Sequence, residues 1–249
     1  MENGYMIKKI TMPIQTKDVD INDYIRPSSV LDYFQDIAGV HANELGLGAD
    51  YMKNLGSLWI ILGERFDVIK RVPKYGEDIT IVSWPKNQDK LFMEREYEIR
   101  DLEDNILIKG ISLWVLVNKD THKIERADKA KFPGLYYDKT SYQEQTKRKL
   151  NLVPHDIINE FDYKVLLTDY DHNKHLNNAR YLDIIYNMFD TNYNYIFNSC
   201  EIAFHHEALQ NEIIHVIHYK DDIYDCFIGY VNNELSFEVK MILKENCND

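Results

Sequence analysis

The segment DVDINDYIRPSSVLD at residues 18–32 lies without a gap over DYDHNKHLNNARYLD at residues 169–183. Asp18, Asp20, Asn22, Leu31 and Asp32 recur as Asp169, Asp171, Asn173, Leu182 and Asp183, at a constant offset of 151 residues. In a chain of 249 residues, such a repeat leaves room for two copies of about 120 residues each and constrains the fold to a duplicated one.

The element order after each copy agrees. Behind the first, Val30, Leu31, Phe34, Ile37, Ala38, His41 and Leu45 fall at helical spacing, with Pro27 and Ser28 as start signals and GLG as the stop. The strand-like runs SLWIILGERFDVI, DITIVSWP, KLFMEREYEIRD and ILIKGISLWVLVN follow, broken by PKYGE, KNQD and LEDN. Behind the second copy, Tyr181, Leu182, Ile184, Ile185, Met188 and Phe189 predict a helix over 178–189, with Asn177 or Asn178 as its cap. FNSCEIAFHHE, EIIHVIHYK, YDCFIGYV and ELSFEVKMIL then read as strands, the last two joined by a hairpin at Asn232 and Asn233. In the last run, Leu235, Phe237, Val239 and Met241 alternate with Glu234, Ser236, Glu238 and Lys240, as in a strand with one buried face. Each half therefore predicts a leading segment, one long helix and antiparallel strands able to wrap it, an α+β architecture. Residues 131–158, with Pro133, Gly134 and Pro154 and no clean periodicity, read as the linker.

Hydrophobic residues make up 45% of the chain, with 18 Tyr and 10 Phe, too many aromatics for a disordered polypeptide. The net charge of -12 leaves no basic excess to neutralise phosphates, so nucleic acid and anionic membranes are not expected as partners. The stretch from 119 to 149 runs against this trend, with nine Lys or Arg against five Asp or Glu. It reads as a solvated connector or as a docking patch for an acidic partner. Cys200, Cys226 and Cys247 suggest neither a disulfide framework nor a metal knuckle and suit a reducing cytoplasm. The N-terminus lacks a long apolar run, and stretches such as LWIILG fall far below the roughly 18 residues of a membrane span, so a cytoplasmic location is expected.

The second repeat is crowded with polar chemistry. Asp169, Asp171 and Asn173 open like a calcium-binding loop, but Lys174 and Arg180 stand where that loop needs Gly and a bidentate Glu. His172, His175, His205 and His206 could converge on zinc, yet no cysteine joins them, and no metal is expected. Turn formation and helix capping account for Asp169 and Asn178. They leave His175 unexplained, because Tyr24 fills its place in the first copy. Imidazole is the side chain that changes charge near neutral pH, so the second copy holds the candidate site. Glu207 follows 32 residues later, in HHEALQNE at the end of a strand-like run, where its carboxylate can face the loop of Asn173 and His175.

The pattern D-x-D-x-N-x-H-[VL]-N-N-x-x-Y stands whole as Asp169, Asp171, Asn173, His175, Leu176, Asn177, Asn178 and Tyr181. With SLWII, ERFDV, DITIVSWP, EREYEIRD and SLWVLVNKDTHKIERA in the first half, the chain resembles the acyl-acyl carrier protein thioesterase family over most of residues 5–243. The resemblance implies two tandem hot-dog domains, each an antiparallel sheet wrapped around one long helix: an acyl-binding domain over 1–130 and a catalytic one over 159–249. It implies hydrolysis of fatty acyl thioesters on acyl carrier protein, without a cofactor, by Asp171, Asn173, His175 and Glu207 beside an acyl tunnel in the N-terminal half. Many members place Cys directly after this glutamate; here Ala208 stands there, so a thiol nucleophile at that place is impossible. Cys200 lies seven residues before Glu207, roughly 23 Å along an extended strand.

Water must then do the chemistry. The expected roles are activation by Glu207 with His175, fixation of thioester or water by Asn173, and orientation of Asn173 and His175 by Asp171. Amides at the start of the 178–189 helix would hold the oxyanion. Trp59, Asn177 and Asn178 are expected to bind substrate, and Trp59, Ile60, Phe66, Trp84 and Trp114 to line the tunnel. An acyl-coenzyme A thioesterase and a non-catalytic acyl-thioester-binding protein are the alternatives. Because two domains already supply the pairing that single hot-dog proteins obtain by dimerising, a monomer or a homodimer is expected.

Overall fold

The computed structural model describes residues 4–86, 89–142, 146–171, 174–189, 192 and 194–246. The first half comprises β1 (Lys8–Pro13), α1 (Pro27–Glu44), α2 (Ala49–Leu55), β2 (Ser57–Val68), β3 (Asp78–Pro85), β4 (Phe92–Arg100), β5 (Ile106–Asn118) and β6 (Ile124–Glu125). The second comprises β7 (Asn159–Lys164), α3 (Arg180–Tyr186), β8 (Tyr195–Phe204), β9 (Ile213–Asp221), β10 (Tyr224–Val231) and β11 (Glu234–Glu245). All strands join one antiparallel sheet in the order β1-β3-β4-β5-β2-β8-β11-β10-β9-β7, with β6 on β5. Read outward from the β2–β8 seam, the two halves have the same strand order, so the sequence repeat is a repeat of topology. This is the tandem hot-dog architecture that the resemblance implies. Strands β1, β6 and β7 and helix α2 are additions to the elements read from the sequence.

Alternation along each strand gives the sheet an inner and an outer face. On the inner face α1 buries Val30, Leu31, Phe34 and Ile37. Phe34 stacks on Tyr97 of β4 at 4.2 Å and meets Phe66 of β2 edge-on. A Cβ at Gly110 would come within 2.2 Å of the Phe34 ring, so glycine is what lets the helix seat this close. Each such buried side chain contributes about 1.5–3 kcal/mol.

Helix α3 is shorter than the expected 178–189 span: seven residues are helical, and Met188 and Phe189 follow in tight turns while still packing on the core. The two helices are tied by a reciprocal exchange that explains the repeated aspartates. Arg180 of α3 pairs with Asp32 of α1, and Arg26 beside α1 pairs with Asp183 of α3 at 3.3 Å.

The outer face is not open to solvent. In β11, Ser236 and Glu238 are buried along with Phe237 and Val239, so the expectation of a single buried face is corrected. The cover is the connecting segment, held by carboxylates that point outward from the sheet. Glu96 accepts the Ser141 amide at 2.6 Å, Glu98 pairs with Lys139 at 2.8 Å, and Glu238 accepts the Leu150 and Leu152 amides at 3.0 and 2.7 Å. The described residues of 131–158 thus lie as a strap across both halves, fixed by polar contacts that carry no periodicity.

Burial alone would raise the Glu238 carboxyl, but hydrogen bonds from His205 and the two strap amides hold it below its usual range. Its stabilisation is present above the ordinary carboxylate pKa and is lost as pH falls through the depressed folded value. Glu238→Ala should therefore lower stability by about 3–5 kcal/mol at pH 7, by leaving buried donors unpaired. In urea titrations the difference should shrink toward acid pH; an equal difference at pH 3 and 7 would contradict this account of the strap.

Candidate active site

Each repeat folds into the same aspartate-anchored turn. In the second, the Asp171 amide donates to the His175 carbonyl at 2.9 Å, and the His175 amide donates to Asp171 Oδ1 at 3.2 Å. In the first, the Asp20 amide reaches the Tyr24 carbonyl at 2.8 Å, and the Tyr24 amide reaches Asp20 Oδ1 at 3.1 Å. Lys174 and Asp23 occupy the matching left-handed position, with φ of 67° and 64°. The repeated aspartate is thus a turn-builder in both halves, and in the second half the turn presents His175. Asn173, like His172, lies outside the described residues.

Glu207 reaches the same place from the other side. Strand β8 ends at Phe204, and the following loop is pinned where the His205 and His206 amides donate to the Ser236 carbonyl at 2.9 and 3.3 Å. His175 Nε2 lies 3.4 Å from Glu207 Oε2, with both side chains about half exposed, at 51% and 52%. The two residues named from the sequence are therefore adjacent and open to solvent at the surface of one domain.

Tyr181 is the supporting residue whose role the sequence reading missed, although the motif contains it. Its ring packs on Phe204 and Phe237, and its hydroxyl meets Ser236 and the Ala208 backbone, beside Glu207. Burial pushes this phenol up to about 12. It positions the loop as a neutral hydrogen-bonding group.

Asn177 shapes the turn before α3, its Oδ1 accepting the Ala179 amide at 2.8 Å, while Ala179 itself is the N-cap without a side-chain cap, and Asn178 is half-buried between them. The expected oxyanion donors at this helix start fare poorly. The Ala179, Arg180 and Leu182 amides are already bonded within the chain, and the helix they begin is short. Of the expected tunnel residues, Trp59, Phe66 and Trp114 lie on the inner face, Trp59 and Phe66 opposite Leu116 and Gly110. Trp84 and Ile60 do not. Trp84 stands on the outer face opposite Glu96, its Nε1 donating to the Lys139 carbonyl of the strap at 3.2 Å, and Ile60 is partly exposed on that side. Both corrections follow from periodicity, which marks an apolar position but not the face it occupies when a strand carries apolar residues on both faces.

Among the described residues, the other sulfur and imidazole groups weighed from the sequence have partners of their own. Ala208 is fully buried, and Cys200 faces the core opposite Phe66, where burial pushes its thiol well above the usual range. His205 pairs with Glu238 at 2.8 Å and His206 with Glu234 at 3.4 Å, each away from His175. Among the described residues no group of three or more His, Cys, Asp or Glu side chains is placed to hold a metal ion.

Fold and site together define a tandem hot-dog protein in which the second copy alone presents an imidazole and a carboxylate at its repeated turn. The chain belongs to the acyl-acyl carrier protein thioesterase family. The family's N-terminal domain model, "Acyl-ACP thioesterase N-terminal domain", matches residues 6–130, and its C-terminal counterpart matches residues 154–246. Among curated relatives, the chloroplastic oleoyl-acyl carrier protein thioesterase of Coriandrum sativum is 21% identical over 186 residues, covering 68% of this chain and 50% of that protein. The chloroplastic palmitoyl-acyl carrier protein thioesterase of Arabidopsis thaliana is 23% identical over 169 residues, covering 62% and 40%. The chain thus spans about half the length, or less, of the curated relatives it matches. Among solved structures, an acyl-ACP thioesterase from Bacteroides thetaiotaomicron aligns with a TM-score of 0.83 at 17% identity, covering 96% of this chain and 98% of that one. The 12:0-ACP thioesterase from Umbellularia californica gives 0.83 at 16% identity with the same coverage, 96% and 98%. These likenesses concern the fold. Among the described residues no helix is long and apolar enough to cross a membrane.

Proposed function

We propose that this protein hydrolyses the thioester of fatty acyl-acyl carrier protein, releasing the free fatty acid and ending chain synthesis. The observation that carries the reading is the 3.4 Å approach of His175 Nε2 to Glu207 Oε2, with both described thiols, Cys200 and Cys226, buried in the sheet. Water held by the pair loses a proton to it as its oxygen attacks the thioester carbonyl. The tetrahedral intermediate then expels the thiolate of the carrier's arm, which takes up that proton as it leaves. Asn173 fixes the thioester or the water, and Asp171 acts through the turn that presents His175. The N-terminal domain, residues 1–130, receives the acyl chain, with Trp59 on its inner face. Asn177 and Asn178 border the thioester in the catalytic domain over 159–249. The buried free thiols Cys200 and Cys226 suit the cytoplasm.

An acyl-coenzyme A thioesterase is the second reading, favoured by the charge of -12, which repels an acidic carrier protein. Lys147, Arg148 and Lys149 of the strap are exposed and supply a local patch against that repulsion. A panel of acyl chains from about C8 to C18, offered on carrier protein and on coenzyme A with free thiol counted, separates the two readings. Carrier-borne substrates should be hydrolysed faster, with an advantage that falls as salt rises. A preference for coenzyme A at every chain length would overturn the carrier assignment.

A further inference from the structure

The site loop in the second half has a counterpart in the first, and hydrogen bonds fix the register. The Lys74 amide donates to the Glu77 carboxylate at 2.8 Å as the Leu209 amide donates to Glu212 at 2.7 Å. Ile14 and Val165 each donate to the carbonyl of that glutamate at 2.9 Å, and Gly76 and Asn211 return bonds at 3.1 and 3.0 Å. Glu77 thus corresponds to Glu212, and the same register sets Val72 where the second half has Glu207. With Tyr24 in the place of His175, the first copy has lost both polar members of the pair.

A cavity nevertheless remains there. Tyr24 and Val72 line a groove of about 380 Å³, within the roughly 300–1,000 Å³ of small-molecule sites. Val68, Ile196 and Phe197 give it an apolar side. Lys70, Lys74 and Lys244 stand around it, all exposed, and none makes a salt bridge with a described residue. Lys74 Nζ lies 4.4 Å over the Tyr24 ring. Arg71 is committed to Glu77 through two hydrogen bonds of 2.8 and 2.6 Å, and Glu245 is the acidic residue in the lining. In a chain of net charge -12, three ammonium groups over an apolar wall, with Asp101 near Lys70 and Glu245 as the acidic neighbours, leave a local positive excess that attracts anions.

We infer that this groove binds an amphipathic anion, a long-chain fatty carboxylate, through the apolar wall of Val68 and Phe197 and the ammonium groups of Lys70, Lys74 and Lys244. A neutral chain would use only the wall, and a bare phosphate only the lysines. With Tyr24 and Val72 where the second half has His175 and Glu207, the groove lacks the catalytic pair, and the carboxylate, which has no thioester bond to cleave, is simply held. The choice of a fatty acid rests on the proposed hydrolysis, whose product it is; the preference for an amphipathic anion rests on the groove.

Isothermal titration of the full chain with dodecanoate, dodecanol and inorganic phosphate tests this. Dodecanoate should show an equivalent that weakens with salt, and Lys70→Gln/Lys74→Gln/Lys244→Gln should weaken it by about tenfold or more. Dodecanol and phosphate should each bind that equivalent about tenfold more weakly than dodecanoate. The three lysines are exposed, so thermal melting of the variant should match the wild type. Retention of every dodecanoate equivalent at wild-type affinity in the triple variant would overturn the inference, as would equal binding of dodecanol. Thioester hydrolysis by the same preparation is read separately. Turnover without the lysine-dependent equivalent removes the groove and leaves the enzyme, whereas the equivalent without turnover supports the groove and removes the thioesterase reading.

Discussion

His175→Ala is expected to slow thioester hydrolysis by about 10²- to 10⁴-fold, the usual contribution of a positioned acid or base. Glu207→Gln should do nearly the same, because the amide keeps the shape of the side chain but cannot accept the proton. Neither side chain is in the core, both being half exposed, so the losses should appear in kcat with melting temperature unchanged. Cys200→Ala provides the contrasting case. That thiol is buried opposite Phe66 and Met241, with its ionisation suppressed, so its removal should cost about 1 kcal/mol or more of stability and little of the rate. A rate near wild type in His175→Ala, or a collapse in Cys200→Ala with a folded protein, would shift the chemistry from activated water to another route.

Glu64→Met is expected to stabilise the protein strongly at alkaline pH. Glu64 stands on the inner face of β2 at the seam between the halves, opposite Ser112 and Ile202. It is 1% exposed, and among the described residues neither carboxyl oxygen has a hydrogen-bond partner. Burial, with Asp32 nearby, pushes its carboxyl up to about 8. The unfolded chain ionises this group at the ordinary carboxylate value, while the folded chain keeps it protonated until the higher one. Between those two values the folded state binds more protons, so stability falls as pH rises. A rise of this size corresponds to about 4–5 kcal/mol of destabilisation at pH 8, nearly absent at pH 4. Methionine fills similar space without the polar atoms and should recover most of that difference in urea titrations at pH 8. Equal stability of the two proteins at pH 8 would show that Glu64 has a partner or solvent in solution.

How much of this was legible in the sequence depended on which physical constraint wrote each feature. The repeat was legible because turn chemistry demands particular residues: Asp20 and Asp171 must each accept the amide four residues on. Helix α1 was legible because its apolar residues from Val30 to Ala38 fall at helical spacing and its start is marked by Pro27. Asn232 and Asn233 announced their hairpin because both adopt positive φ, at 51° and 66°. The pairing of His175 with Glu207 followed from chemistry and from the expected order of elements.

Other features had no local signal. Helix α3 ends at Tyr186 although its apolar pattern runs on through Phe189, since turns can bury the same side chains. The strap is ordered by side chains of distant strands, Glu96, Glu98 and Glu238, which no window of the strap's own sequence contains. Trp84 and Ile60 were misplaced because both sides of the sheet are covered, and the bulge between Ile61 and Gly63 shifts the alternation within β2. Asp171, expected to orient Asn173 and His175, accepts the His175 amide, a backbone contact that the residue pattern does not spell out.

The most direct measurement is a double-mutant cycle on thiol release from an acyl thioester, comparing kcat/KM for wild type, His175→Ala, Glu207→Gln and the combined variant. If imidazole and carboxylate activate one water together, the combined variant should be no slower than the slower single change. Losses that multiply, each substitution keeping its full effect in the other's absence, would mean that the two side chains act on separate steps.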